Sequence, residues 1–424
     1  MNKSVIDIIV IGAGHAGLCT SYYLAQAGIK HLVLEQGKIG ETWRTQRWDS
    51  FKLNSANKLN LLPGQDAYFQ DADAFALGHE FADALEQYVQ KFNLSVQENC
   101  RVIELTQDAI ENHFVVQINQ NGSFKEYHCK QVVIASGNQN KKRSPAFAKN
   151  LPKHIVQLHS SEYTNATHLP KGNVLVVGSA QSGIQIAEDL VRSNRTVFLS
   201  TSKVGRLPRK YRGRDIYDWL FELGFYDMST DDLKDKSILQ TKNPQISGIG
   251  ERGKTCSLQS LARAGVLILG STTNADANQI YFEDNAAEHI IYADEFSLKI
   301  KSLIDEYIQK NKVIAPDADI DFDDLPDEQA SCASHVSKMY FDDNDITSIV
   351  WATGLHGDYS YIKLPVIDVH QAPVHTNGIS DISGLYFIGL TWLRRRKSSL
   401  IPGIRDDASY LVEHIKKVWH KQKA

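Results

Sequence analysis

Two glycine-rich turns carry the clearest chemistry in the chain. The first, Gly12-Ala13-Gly14-His15-Ala16-Gly17, follows the apolar run "DIIVIG". Gly12 permits a tight turn, Gly14 lets backbone N–H groups approach a pyrophosphate, and Gly17 lets the following helix pack close to the strand. The helix N-terminus adds free N–H donors and partial positive charge. Glu35 ends the next strand, with Gln36 beside it. A carboxylate there can accept both ribose hydroxyls of an adenosine and repels a 2′-phosphate. Ala16 belongs to the same dinucleotide turn. His15 also does, and its ring is read as facing solvent.

The second turn, Gly178-Ser179-Ala180-Gln181-Ser182-Gly183, repeats the pattern with Ala180 in place of the middle glycine. When Gly178 is aligned on Gly12, Thr201 falls where Glu35 stands. The acid that would exclude a 2′-phosphate is gone. Ser202, Lys203 and Arg206 follow, then Arg209, Lys210, Arg212 and Arg214. Cationic donors at this point favour NADPH over NADH. Arg212 and Arg214 are read as surface charges. Two dinucleotide sites on one chain imply a bound flavin and the nicotinamide that reduces it.

The elements around these turns are those of an α/β protein. "DIIVIG", "AGLCTSYYLAQAGI" and "HLVLEQ" form a βαβ unit, and "NVLVVGSAQSGIQIAEDLVRSNRTVFLSTS" forms a second. A helix is expected near 80–92. "HFVVQINQ" and "SFKEYHCKQVVIASG" alternate as a hairpin, which leads into a buried strand ending at Ala135-Ser136-Gly137. A polar link over 138–172 separates the two units. Residues 203–343 look less regular. There "RKYRGRDIYDWLFELGF" reads as helical, "GVLILGSTTNADANQIYFED" as hairpin-like, and "APDADIDFDDLPDEQ" as a solvated loop, with a lid as the other option. "ITSIVWATG" and "GLYFIGL" are further strands, and "IRDDASYLVEHIKKVWHK" is a C-terminal helix. The stretch "GETWRTQRWDSFKL" sets Trp43, Arg44 and Trp48 close together. It either wraps a flat cofactor, with Arg44 near its phosphates, or packs aromatics under a loop.

The 424 residues suffice for two or three domains, and a 42% hydrophobic and 23% charged composition is that of a globular protein. A net charge of −4 gives no pull toward nucleic acid or anionic membrane. Cys19, Cys100, Cys129, Cys256 and Cys332 contain no CxxC pair, so neither a redox dithiol nor a metal site is expected. Scattered thiols fit a cytoplasmic location. No signal peptide and no membrane span are expected.

Taken in order, "GAGHAG", "GETWR", "LHSSEY", "GSAQSG", "RLPRKYRGRDI", "WATG" and "GLYFIGL…RRRKSS" cover most of the chain. The sequence resembles the class B flavoprotein monooxygenases, in particular the short two-dinucleotide members related to flavin-containing monooxygenases and plant YUCCA enzymes. The resemblance implies two Rossmann-like dinucleotide-binding domains of the three-layer ββα type, with FAD in the first and NADPH in the second. It implies that the NADPH domain (166–344, with an inserted segment at about 205–260) interrupts the FAD domain (1–165 and 345–424). It implies that NADPH reduces FAD, and that O2 then forms a C4a-(hydro)peroxyflavin that oxygenates a nitrogen, sulfur or carbon/carbonyl centre of a small organic substrate. Asn54 falls where the family has an Asn near the flavin C4a, and the other reading of it is a turn residue. Val102, the Ala352-Thr353-Gly354 turn, Gly389 and Leu390 join the expected cofactor contacts.

Some positions depart from the family. Lys153 and Ile155 replace a Phe and a Gly before His159, the Baeyer–Villiger signature is absent after Trp43, and Leu355 follows "ATG" where N-hydroxylating relatives carry Tyr or His. The oxygen acceptor therefore stays open. Within Arg394-Arg395-Arg396-Lys397, a run that otherwise reads as a solvated face, Arg396 is the candidate to steady the reduced flavin or bind an acidic substrate. The expected partners are a small substrate and O2, with a homodimer left open. The alternatives are a flavin oxidoreductase or oxidase that releases hydrogen peroxide, and a flavin-binding protein with an interaction role.

Overall fold

The structure, a computed structural model, describes residues 5–423 other than 109, 112, 241, 242, 247, 249–252, 333 and 334, and omits the side chains of 240, 331, 332, 422 and 423. Val5–Ile11 is buried from Ile8 onward, as the unbroken apolar run after Asp7 requires of a parallel strand covered on both faces. It pairs in parallel with His31–Leu34 on one side and Ser123–Ile134 on the other. The first sheet runs Val96–Gln97, His31–Leu34, Val5–Ile11, Ser123–Ile134, Phe114–Gln120, Cys100–Gln107, with Leu385–Phe387 added at Ser123–Ile134. The 12-residue strand Ser123–Ile134 serves two layers. Its exposed start pairs antiparallel with Phe114–Gln120, and its buried end pairs in parallel with Leu385–Phe387. Helix His15–Gln26 covers the sheet, and the C-terminal helix Ile401–Lys423 shares its core through Ile404, Ala408 and Leu411.

A second, wholly parallel sheet runs Leu267–Leu269, Val197–Ser200, Asn173–Val177, Ile346–Trp351, Val156–His159. Strands on both sides of the expected 166–344 segment bond to the second sheet: Val156–His159 and Ile346–Trp351, Trp351 pairing with both His159 and Val177. The chain crosses between units twice, and the crossings lie side by side where Lys141–Lys142 pairs antiparallel with Leu355–His356.

Three local expectations also change. "RKYRGRDI" is a two-stranded turn, Lys210–Tyr211 against Arg214–Asp215, with Arg212 and Gly213 at φ 46 and 75. Asp215 then caps helix Ile216–Glu222 by accepting the Tyr217 N–H at 2.9 Å. Leu267–Leu269 joins the parallel sheet, and the hairpin is Thr272–Ala275 with Gln279–Phe282, extended by Lys338–Tyr340. The region read as irregular holds a 26-residue helix, Ala286–Asn311. Its apolar residues spread around the axis, with Ile290 and Ile304 buried but Ile291 and Leu298 exposed, which blurs the helical stripe. Among the described residues no helix is long and apolar enough to cross a membrane.

Candidate active site

Both glycine turns open on one cleft. A cavity of about 1150 Å³ extends from Gly12, Gly14, Ala16 and Glu35, past Trp43, Trp48 and Asn54, to Ala180, Gln181 and Ser182. Gly12 sits at φ 108 and donates its N–H to Leu34 O at 2.8 Å. A Cβ on Gly17 would overlap the Gly12 carbonyl oxygen, whereas one on Gly14 would meet nothing within 4 Å. Gly17 therefore holds helix to strand, and Gly14 leaves an open cradle beside backbone donors, which fits a pyrophosphate. Glu35 lies buried at the strand end and accepts the Ala13 and Gly37 N–H groups at 2.7 and 2.9 Å. Burial pushes its carboxyl up, against those bonds. Gln36, Val102, Ala135, Ser136 and Gly137 border the same end of the cavity. The dinucleotide reading of the first turn thus has a complete set of groups. Trp43 and Trp48 both border the cleft and pack on Phe51, so the wrap and the aromatic core are one feature.

Several residues take other places than expected. The His15 ring does not face solvent. It lies 6.2 Å from Trp43 and 6.4 Å from Phe81, with Nε2 buried and without a hydrogen-bond partner among the described residues. Burial lowers its pKa to about 4, so the ring is neutral at pH 7. Arg44 turns from the cleft to Asp83 and Glu86, at 2.7 and 2.9 Å, on helix Gly78–Phe92. Arg47 borders the cleft instead, its guanidinium 5.1 Å from the Trp43 ring, with no carboxylate partner among the described residues. Burial lowers its pKa to about 10. The sequence signal for Arg47 was the second arginine of "TWRTQRW". Ala352 and Gly354 border the cavity, but the Thr353 hydroxyl turns to Arg143 O. Gly389 borders it too, while Leu390 is buried in the core beneath the first sheet.

The second turn copies the first. Gly178 also sits at φ 108, and a Cβ on Gly183 would overlap Gly178 O. Ser179 Oγ accepts the Ser202 N–H at 3.0 Å. The buried Thr201 hydroxyl bonds Leu269 O and His289 Nδ1 at 2.7 and 2.9 Å. No acid stands at the strand end. Of the cations expected to meet a 2′-phosphate, Lys203 is half exposed and pairs with Glu288 at 2.9 Å. Arg206 is interior. Its side chain is 3% exposed and held by Asp294 and Asp324, the latter also bonded to Lys301. The acidic stretch is therefore pinned to the second unit at Asp324. Arg209 is likewise interior, 0% exposed and paired with Asp215.

Asn54 and Arg396 meet the cleft from opposite ends of the sequence. Asn54 Oδ1 accepts from Gln185 Nε2 at 3.2 Å, and its carbonyl accepts from Arg209 Nη1 at 2.7 Å. In the basic run, Arg394 pairs with Asp407 and Lys397 with Asp227 and Asp406. Arg396 alone borders the cavity. Its guanidinium lies 3.8 Å from the Phe225 ring and 5.4 Å from Trp392, without a carboxylate among the described residues. Burial lowers its pKa, partly offset by Tyr226. Tyr217, Phe221 and Tyr226 border the cavity around it.

Residues 9–214 match a family model described as pyridine nucleotide-disulphide oxidoreductase. A Geobacillus kaustophilus protein described as an uncharacterized oxidoreductase CzcO-like is 31% identical over 416 residues, covering 97% of this chain and 99% of that one. The probable indole-3-pyruvate monooxygenase YUCCA9 of Arabidopsis thaliana is 27% identical over 215 residues, about half of each chain (49% and 50%). The flavin-containing monooxygenase structure from Stenotrophomonas maltophilia superposes with a TM-score of 0.65 at 16% identity, over 98% of this chain and 99% of that one, a shared fold with two dinucleotide-binding units.

Proposed function

This chain belongs to the family of CzcO-like oxidoreductases, and on that premise we propose that it is a flavoprotein monooxygenase using FAD, NADPH and O2 to oxygenate a small organic substrate. The carrying observation is that two glycine turns of the same geometry open on one continuous cleft. FAD belongs at the first turn, where Glu35 waits for a ribose. NADPH belongs at the second, where no strand-end acid stands. Bound FAD supplies hydride acceptance and the reaction with O2. The chain's own residues would bind and orient: the turn N–H groups would hold the two pyrophosphates, and the aromatic wall of Trp48, Tyr217, Phe221 and Trp392 would exclude water. Trp392 holds φ 54, a costly conformation for a bulky residue, at the cavity edge. Among the described side chains, Cys19, Cys100, Cys129 and Cys256 are buried and burial raises each thiol's pKa, which speaks against a disulfide reductase built on any of these four.

The test is NADPH consumption with a panel of amines, sulfides and carbonyl compounds. Acceleration by a substrate, with peroxide well below NADPH consumed, supports oxygenation. Stoichiometric peroxide with every compound supports the oxidase reading instead.

Asn54 offers a neutral amide at the cleft. Asn54→Ala is expected to raise the hydrogen peroxide released per NADPH several-fold, with flavin reduction unchanged. An unchanged peroxide yield removes Asn54 from this role. Arg396 is a half-buried cation against aromatic faces, which suits a substrate with an acidic group and an apolar body. Arg396→Ala is expected to raise KM for acidic substrates about tenfold, the effect of one lost charge-assisted bond, and to spare neutral ones. A fall in the flavin reduction rate with KM unchanged would place Arg396 at the reduced flavin instead.

A further inference from the structure

Three amide side chains meet where the two units face each other. Gln181 and Gln185 stand one turn apart on helix Gln181–Arg192, and both border the cleft, as does Asn54. Each glutamine has one end committed. Gln181 Oε1 accepts the Ile246 N–H at 2.9 Å, and Gln185 Nε2 donates to Asn54 Oδ1 at 3.2 Å. The opposite ends, Gln181 Nε2 and Gln185 Oε1, are buried and have no partner among the described residues. Gln185 is only 7% exposed. A buried amide end without a partner is costly, so such groups call for a ligand or water.

The free ends are one donor and one acceptor on the same helix face. A phosphate or carboxylate, having only acceptors, would leave Gln185 Oε1 unmet. A primary carboxamide meets both: its oxygen accepts from Gln181 and its NH2 donates to Gln185. We propose that Gln181 and Gln185 seat the carboxamide of the nicotinamide ring, and that Gln185 is also the positioning residue for Asn54. This rests on reading the second turn as the NADPH site. With Asn54 Oδ1 taken by Gln185, the Asn54 NH2 is the end left to donate toward the cleft. One side chain thus ties the nicotinamide seat to the orientation of the amide beside the first unit's cofactor.

The experiment is calorimetric titration of the oxidised, FAD-loaded protein with three ligands. NADP+ carries the carboxamide, its 3-acetylpyridine analogue keeps the carbonyl but lacks the NH2, and 2′,5′-ADP lacks the nicotinamide. The unmodified protein is expected to bind NADP+ about tenfold more tightly than the acetyl analogue, the worth of one buried hydrogen bond. In Gln185→Met that preference is expected to vanish while 2′,5′-ADP binds equally to both proteins. An equal preference in both proteins, or none in the unmodified protein, overturns the proposal. Failure of 2′,5′-ADP to bind the unmodified protein overturns the NADPH reading, and this inference with it. If Gln185→Met does not retain FAD, the comparison of ligands on the unmodified protein still decides.

Discussion

Gly183→Ala is expected to keep its FAD and lose reduction by NADPH, whereas Gly17→Ala is expected to lose FAD itself. A methyl group on Gly183 would overlap Gly178 O and press on Ala352 Cβ at 3.3 Å. On Gly17 it would overlap Gly12 O and touch Ala135 Cβ at 3.4 Å. In each case helix and strand must separate, and the N–H donors at the helix start move with them. Displacements of about 1 Å at such a site cost on the order of 100-fold in rate. For Gly183→Ala the expected result is near-stoichiometric flavin after gel filtration, with anaerobic reduction by NADPH slowed about 100-fold or more. For Gly17→Ala it is protein with little flavin. Reduction of Gly183→Ala at the unmodified rate would mean that the second turn is not where NADPH acts.

Arg209→Leu is expected to destabilise the fold by about 3–5 kcal/mol, the usual cost of stranding a buried charge. Arg209 is fully buried and paired with Asp215, with Nε to Oδ2 at 2.9 Å. It donates to the Asn54 carbonyl and lies 4.5 Å from the Phe75 ring. One guanidinium thus joins the helix cap at Asp215 to the loop that carries Asn54. Leucine would leave Asp215, itself only 12% exposed, without its cation. Chemical denaturation monitored by tryptophan fluorescence reads the loss. The double variant with Asp215→Asn should lose less than the sum of the single variants, because each removes the same pair. A single-variant loss under about 1 kcal/mol would contradict this account of the buried pair.

What could be read from the sequence was local. Strand, glycine turn and helix follow one another within a few residues, so both turns were legible, and the structure gives their first glycines, Gly12 and Gly178, the same φ of 108. So was the difference between Glu35 and Thr201. What could not be read depended on distant partners. Arg44 and Arg47 look alike in "TWRTQRW", and only Asp83 and Glu86 on another helix draw Arg44 away. Arg206 resembles a phosphate ligand until Asp294 and Asp324 close on it. Ile346–Trp351 was legible as a strand and Val156–His159, inside the polar link, was not; the sheet both join is set by long-range pairing. Gln185 looked like one more helix residue, because its role lies in a contact with Asn54 from the other unit.

The most direct test of oxygenation at this cleft is a single turnover. FAD-loaded protein is reduced anaerobically with one equivalent of NADPH and then mixed with 18O2 and a substrate that accelerates NADPH oxidation. The expected result is one labelled oxygen atom in the organic product and little labelled hydrogen peroxide. Reoxidation that places all the label in peroxide, with none in the product, would contradict the monooxygenase account.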